Sequence, residues 1–332
     1  MKKKIIISYD YELFFGIKSG TVQNSIIIPT DKILNCMEKY ALKGNFFIDY
    51  LMIKCISEQD DPICKNDYKA LKKQIQDIIS RGHRIELHLH PHWINAKYLG
   101  KGLWDYTDFS HYSLSSLNNN EIIHLFEEGA NYLNQIAQEI DPQYKICAFR
   151  AGGWAIQPFE KLKKAFLQAG IVIDSSTSPG LYNQEEHSSF DFRKMPNKTI
   201  YKFEDDVCKE DNKGTFIEVP ISSFRKNIII VIIDKLYRIF TNHFERQTDG
   251  SHFRNTSKRK QNNLLKTIIG KQTMMSFSNL SPKALWYASH CNNTQELYCF
   301  IDHPKDFNKM TLKGIQFAGK HFESVLYNNL LK

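Results

Sequence analysis

Short continuous apolar runs alternate along the chain with longer stretches in which apolar residues recur every three or four positions. The runs are "KIIISYD" (4–10), "NFFIDY" (45–50), "RIELHLH" (84–90), "YKICAFR" (144–150), "IVIDSS" (171–176), "TFIEVP" (215–220) and "LYCFIDH" (297–303). Each has the length of a buried strand. Helical spacing predicts helices over 30–44, 66–82, 119–140 and 157–170, and a helical tail over roughly 306–330. Thr30 is the expected N-cap of the first, and Gly44, Gly82 and Gly170 supply stops. Apolar strands that alternate with helices predict a parallel sheet beneath helices, and seven of them predict a barrel. The alternation breaks from about 225 to 290, a stretch that reads as a helical, basic insertion within one domain spanning 1–332.

Composition fits a soluble globular protein: of 332 residues, 42% are hydrophobic and 24% charged, enough for a large core without disulfides. The seven cysteines are scattered, odd in number and without a C-x-x-C pair, which points to a reducing compartment. The opening "MKKKIIISYDYE" loses its apolar character at Asp10 and Glu12, so it predicts a first strand and not a leader. No apolar stretch is long enough to span a membrane, and the cytoplasm is the expected location. Charge changes the picture in one place. Residues 225–271 hold eleven Lys and Arg against three acids, an excess equal to the net +8 of the whole chain. Such a segment is either a solvated surface or an attraction for an anionic partner. Within it, "FRKNIIIVIIDKLYRIF" (224–240) sets a long apolar run between cations, a pattern suited to the inner face of an anionic membrane; no nucleic-acid partner is expected.

Candidate chemistry collects where strands end. The first ends in Asp10 and Glu12, the third in His88, His90 and His92, the fourth in Arg150 and "AGGW", the fifth in Asp174, the last in Asp302 and His303. In a parallel barrel the C-terminal strand ends share one rim, where active sites are built. The stretch "RIELHLHPHW" (84–93) is then either a metal site or a polar strand end.

Taken in order, "ISYDYE", "GHRIELHLHPH", "FRAGGW", "VIDSS" and "CFIDHP" resemble the five motifs of the polysaccharide deacetylases, the NodB-homology carbohydrate esterases, from about residue 4 to 307. The resemblance implies a distorted (β/α)7 barrel and a metal-dependent hydrolase that removes an acetyl or other small acyl group from an amino sugar, oligosaccharide, or lipid- or nucleotide-linked sugar. It implies that His88 and His92 bind a divalent metal, zinc in the first instance, that Asp10 is the base and that His303 is the acid. Three departures mark a divergent subgroup: Tyr11 stands where the family has a second aspartate, Leu89 where it has a small hydroxyl residue, and the third motif lacks its prolines. Glu12 is therefore taken as the carboxylate ligand, with Asp10 the alternative. Two imidazoles and one carboxylate leave open positions on a catalytic metal. Arg150 is expected to hold Asp10 ionised, Asp174 to orient His303 or line the substrate wall, and the N–H groups near Gly152 and Gly153 to meet the oxyanion. Trp154 and Tyr182 are candidate sugar platforms, and His90 is assigned a supporting role. Two other classes remain open: an amidohydrolase-type metal enzyme, because "HLH" is an H-x-H pair, and a non-catalytic glycan- or membrane-binding module.

Overall fold

The first strand carries two patterns at once. In the computed structural model, which describes residues 2–185, 188–252, 272–290 and 295–331, β1 (Lys3–Tyr11) is buried on both faces. Ile5, Ile7, Tyr9 and Tyr11 join the large core between sheet and helices. Ile6 belongs to a second, smaller core with Phe47, Ala148, Ile173, Val219, Cys299 and Tyr327. That second core fills the inside of the curled sheet, which Ser8 and Asp10 also face. Period-two alternation thus sends hydrocarbon outward under the helices and polar atoms inward.

The remaining strands of the main sheet are β2 (Asn45–Asp49), β3 (Arg84–Leu89), β4 (Ala148–Ala151), β5 (Ile173–Asp174), β6 (Tyr201–Phe203), β7 (Phe216–Glu218), β8 (Leu297–Asp302) and β9 (Phe322–Ser324). Their order is β6-β7-β5-β4-β3-β2-β1-β8, with β9 also paired to the start of β1. Every pairing is parallel except β6 with β7. Seven of the eight parallel strands are the seven expected, β9 being the eighth, and the sheet curls into a distorted barrel. The main helices are α1 (Ile28–Lys39), α2 (Tyr50–Ser57), α3 (Pro62–Ser80), α4 (Asn119–Gln138), α5 (Glu160–Ala169), α6 (Ile228–Phe240), α7 (Pro282–His290) and α8 (Lys309–His321).

Four local expectations change. Thr30 lies inside α1, with a buried hydroxyl that has no partner, because a π-turn over Gln23–Ile27 starts the helix earlier. The segment Tyr50–Ser57 is a helix of its own. The tail is not helical throughout: Phe322–Ser324 returns to extend the sheet beside β1. The basic insertion is not wholly helical either. Gln272–Met274 pairs antiparallel with Ser223–Arg225, and 253–271 falls outside the described residues. This returning segment helps close the barrel. Met275 N donates to Ser222 O (2.8 Å), Ile301 N to Met275 O (3.1 Å) and Ser222 N to Cys299 O (2.8 Å).

Two buried polar clusters tie the strands below and beside the rim. Glu86 on β3 accepts from Arg84 Nε (2.7 Å) and from the backbone N–H groups of Cys147 and Ala148 (2.9 Å each). Asp174 and Glu218 are register partners on β5 and β7, both fully buried. Burial raises the pKa of each, and for Glu218 the neighbouring Asp174 raises it further.

Two outcomes follow from these clusters. Glu86→Ala leaves a buried guanidinium and two N–H groups without their acceptor, and should cost about 3–5 kcal/mol in chemical denaturation. Glu218→Gln should stabilise the protein at alkaline pH and do little at pH 4. Folding raises the pKa of both carboxyls, so the pair keeps bound proton that the unfolded chain releases, and its contribution falls as pH rises above the ordinary carboxylate range. Thermal midpoints of both proteins across that range check the sign.

Candidate active site

The rim at the C-terminal strand ends is built around β1, where Asp10 and Glu12 face inward and Tyr11 faces outward. Tyr11 Oη donates to Gln74 Oε1 on α3 (2.8 Å), so it takes no part in the site. Asp10 Oδ1 accepts from Arg150 Nη1 (2.6 Å), and its Oδ2 lies 3.5 Å from His303 Nε2. Burial works to raise the Asp10 pKa, but Arg150, His88 and His303 together hold it well below the usual carboxylate range. Arg150 is fully buried. It also donates to Ser175 O (2.8 Å), Ser8 Oγ (2.9 Å) and Ser175 Oγ (3.1 Å), and its guanidinium lies 4.1 Å from the Phe47 ring centre.

Glu12 gathers more partners than any other acid of the rim. Oε2 lies 2.6 Å from His90 Nε2 and 3.3 Å from His88 Nε2. Oε1 accepts from Lys305 Nζ at 2.7 Å and lies 3.6 Å from His303 Nε2. Burial opposes its charge, yet His90, Lys305 and His88 keep it well below the ordinary range. His88 Nδ1 sits 2.7 Å from the Arg150 carbonyl oxygen. Nδ1–H donates there, which turns Nε2 toward Glu12. The His88 pKa is pushed up to about 9: burial lowers it, and Asp10, Glu12 and Asp49 outweigh burial.

Two groups of ligand atoms lie within 4.8 Å of one another among the described residues: Glu12, His88 and His90, and Asp10, Glu12 and His303. His90, not His92, joins His88 and Glu12. β3 ends at Leu89, and Pro91–Asn95 forms a 3-10 turn that carries His92 away. His92 packs among Phe15, Tyr106 and Tyr112, and neither of its ring nitrogens has a hydrogen-bond partner. The donor set fits a divalent ion: two imidazole Nε2 atoms converge with a carboxylate, and the far nitrogen of His88 is fixed by a backbone carbonyl, as in metal-binding histidines.

The cleft above these residues has a volume of about 480 Å3 and is lined in part by Asp10, Glu12, His90, Gly153, Trp154 and His303. Gly152 lets the β4 turn approach this floor, because a Cβ there would meet His90 Nδ1 at 2.5 Å and Leu89 O at 2.7 Å. Asp174 and Tyr182 are placed elsewhere. Asp174 accepts from Ser176 N (3.0 Å) and Ser176 Oγ (2.6 Å) and faces Glu218. The carboxylates within 4 Å of the His303 ring nitrogens are Asp10, Glu12 and Asp306, the last with Oδ2 3.8 Å from Nδ1, while Asp302 Oδ1 accepts from the His303 backbone N–H (3.0 Å). Tyr182 stands on the hairpin Tyr182–Glu185/Ser188–Asp191 under the Arg193 guanidinium and lines a separate depression with Gln157 and Asp206.

Two residues of the site lie outside the expected set. Lys305 is buried, donates to Glu12 and Leu13 O (3.2 Å), and lies 4.6 Å from the Phe15 ring centre. Asp49 pairs in register with His88, accepts from Trp93 Nε1 (2.8 Å), and burial pushes its pKa up to about 7. Asp49 also obeys the strand-end signal, being the last residue of "NFFID". Lys305 had no such signal, since it follows its strand by a turn.

No protein-family model and no curated protein sequence matches the chain. Solved structures do. One from Mycobacterium smegmatis, described as a polysaccharide deacetylase, superposes with a TM-score of 0.51 at 12% identity, over 100% of this chain and 90% of that one. A 4-alpha-glucanotransferase of Thermococcus litoralis gives a TM-score of 0.50 at 12% identity, over 100% of this chain and 40% of that one. At such identities the likeness speaks for the fold alone: the parallel strands and their order form a curled α/β barrel similar to that of the polysaccharide deacetylase structure.

Proposed function

We propose that the protein is a metal-dependent hydrolase that removes an acetyl or other small acyl group from an amino sugar or glycan precursor during surface-polysaccharide assembly. One observation carries the reading: an Arg150-held Asp10 faces His303 across 3.5 Å, beside the Glu12–His88–His90 set, at the floor of one cleft. The fold shared with a described polysaccharide deacetylase supports the same class. Free cysteines among the described residues suit a cytoplasmic setting.

Glu12, His88 and His90 would hold the ion, and zinc suits two imidazoles and a carboxylate. When bound, a divalent ion acidifies water and polarises the acyl carbonyl. Asp10 is positioned as the base: Arg150 occupies Oδ1, which leaves Oδ2 to accept the proton of the attacking water. The water oxygen bonds to the acyl carbon, and the carbon–nitrogen bond then breaks. His303 Nε2 gives its proton to the departing amine. Burial and Lys305 lower the His303 pKa, but Asp10 and Glu12 outweigh them and raise it above the ordinary imidazole value, which favours the protonated form an acid requires. Trp154 lines the cleft and offers a face to the sugar ring.

A glycosyl-transfer reading, suggested by the glucanotransferase of like fold, fits less well. It calls for one carboxyl of raised pKa beside an ionised one. Asp10 and Glu12 are both pushed down. The raised carboxyls nearby, Asp49 at about 7 and Asp302 at about 6, do not line the cleft.

Metal titration of variants tests the ligand set. His88→Ala and His90→Ala should each weaken binding by about 10-fold or more, while His92→Ala should bind as wild type. Loss with His92→Ala and retention with His90→Ala would restore the spacing that the family resemblance implies. Kinetics test the proton transfers. Asp10→Asn should lower kcat by about 10²–10⁴ on acetylated amino-sugar oligomers while metal stays bound. His303→Ala should lose a similar factor on amides and far less on esters with good leaving groups; equal losses would exclude the acid role.

A further inference from the structure

The helix α6 presents an apolar face that is exposed among the described residues. Among the described residues, seventeen large apolar side chains are exposed, and six of them, Ile228, Ile229, Ile232, Leu236, Ile239 and Phe240, stand on this one helix, at 39–79% exposure. Residues 229, 232, 236, 239 and 240 fall at helical spacing, so they form a stripe. The opposite side is anchored. Ile230 is buried, and Asp234, 4% exposed, bonds to Lys226 Nζ and Ser281 Oγ. The only acid of the helix is therefore turned inward and paired. Arg225, Lys235 and Arg238 are exposed beside the stripe.

We infer that α6 lies in the interface of an anionic lipid bilayer. An apolar stripe flanked by cations is the pattern of helices that rest in the headgroup region, with hydrocarbon buried among acyl chains and Lys or Arg among lipid phosphates. Charge decides against a second copy of this chain as the occupant: it would set Arg225, Lys235 and Arg238 against their own copies with no exposed acid of the helix to balance them. The helix is 13 residues long, about 20 Å, and crosses nothing. Trp286, 46% exposed, stands on the neighbouring α7, and indoles favour the same interface. The anchored side of the helix adjoins the cleft wall. Arg238 donates to Asn279 O (2.7 Å), Asn279 lines the cleft, and Ser281 holds Asp234. Docking through α6 would bring the rim of the site to the headgroups, which favours a sugar carried on a phospholipid-like anchor. The docking goes beyond the hydrolytic reading and does not rest on it, whereas the lipid-carried sugar rests on that reading.

Co-sedimentation of the full chain with vesicles tests the docking without recourse to activity. The wild type should sediment with vesicles of phosphatidylglycerol and phosphatidylcholine, remain in solution with phosphatidylcholine alone, and release as salt rises. The triple variant Ile232→Ser, Leu236→Ser, Ile239→Ser should keep its circular dichroism and thermal midpoint, since these side chains are exposed, and lose binding. Arg225→Gln with Lys235→Gln should weaken binding roughly tenfold. Absence of binding to anionic vesicles, or binding undiminished in the triple variant, overturns the inference. So does a wild-type dimer in light scattering that the triple variant abolishes, which would assign the stripe to a second copy.

Discussion

A guanidinium sealed inside a barrel has to be neutralised where it stands, and most of the interior follows from that requirement. Arg150 is fully buried, and its donors reach β1 through Ser8 and Asp10 and the end of β5 through Ser175. An unpaired buried charge costs several kcal/mol, so each of these contacts is close to obligatory. They explain why the inside of the barrel is not hydrocarbon throughout. The polar groups of Ser8 and Ser175 accept the hydrogen bonds of Arg150, and the small Cys299 lies against Ser175 and Tyr327 beside them. Arg150 orders the rim twice over. Its side chain fixes which Asp10 oxygen is free, and its backbone carbonyl fixes which His88 nitrogen faces Glu12.

Above this strut the charges alternate in sign. Glu12 stands among His90, Lys305, His88 and His303, and Asp10 stands between Arg150 and His303. Each carboxylate stays ionised in a buried place only because cations or imidazoles surround it. Lys305 has a particular consequence. Its ammonium engages Glu12 Oε1, which leaves Oε2 for the two imidazoles. A shorter carboxylate on β1 would have to choose between the lysine and the histidines, so the reach of glutamate matters at this position. Asp306 extends the network outward, since it accepts from Arg246 Nε (3.1 Å) and pairs with His252 Nε2 (3.0 Å), two residues of the basic insertion.

How much of the fold was legible in the sequence follows from the same physics. Strands buried on both faces are continuous apolar runs, so seven of the eight parallel strands could be found. The strand Phe322–Ser324 could not. It has three residues, follows a helix directly, and exists because β1 offers it an unpaired edge. The return segment of the insertion escaped for a related reason: Gln272–Met274 is polar and short, and its place between Ser222 and β8 is set by hydrogen bonds from distant chain.

The site was legible to the degree that strand ends point one way. Asp10, Glu12, His88, Arg150 and His303 come together because each lies at or just past the end of a parallel strand, and Asp49 would have been added by the same rule. Asp174 obeys the rule and still misses the cleft, since its register partner Glu218 and the following Ser176 engage it. The three histidines of "HLHPH" show where the reasoning turns. Residues two apart share a face only while the backbone stays extended. His88 and His90 satisfy that condition, with His90 still extended at φ −112° and ψ 94°. Pro91 fixes its own φ and starts a 3-10 turn, so the alternation stops one residue before His92. Pro91 thus takes the His92 imidazole off the face that His88 and His90 share, and His90 stands beside Glu12.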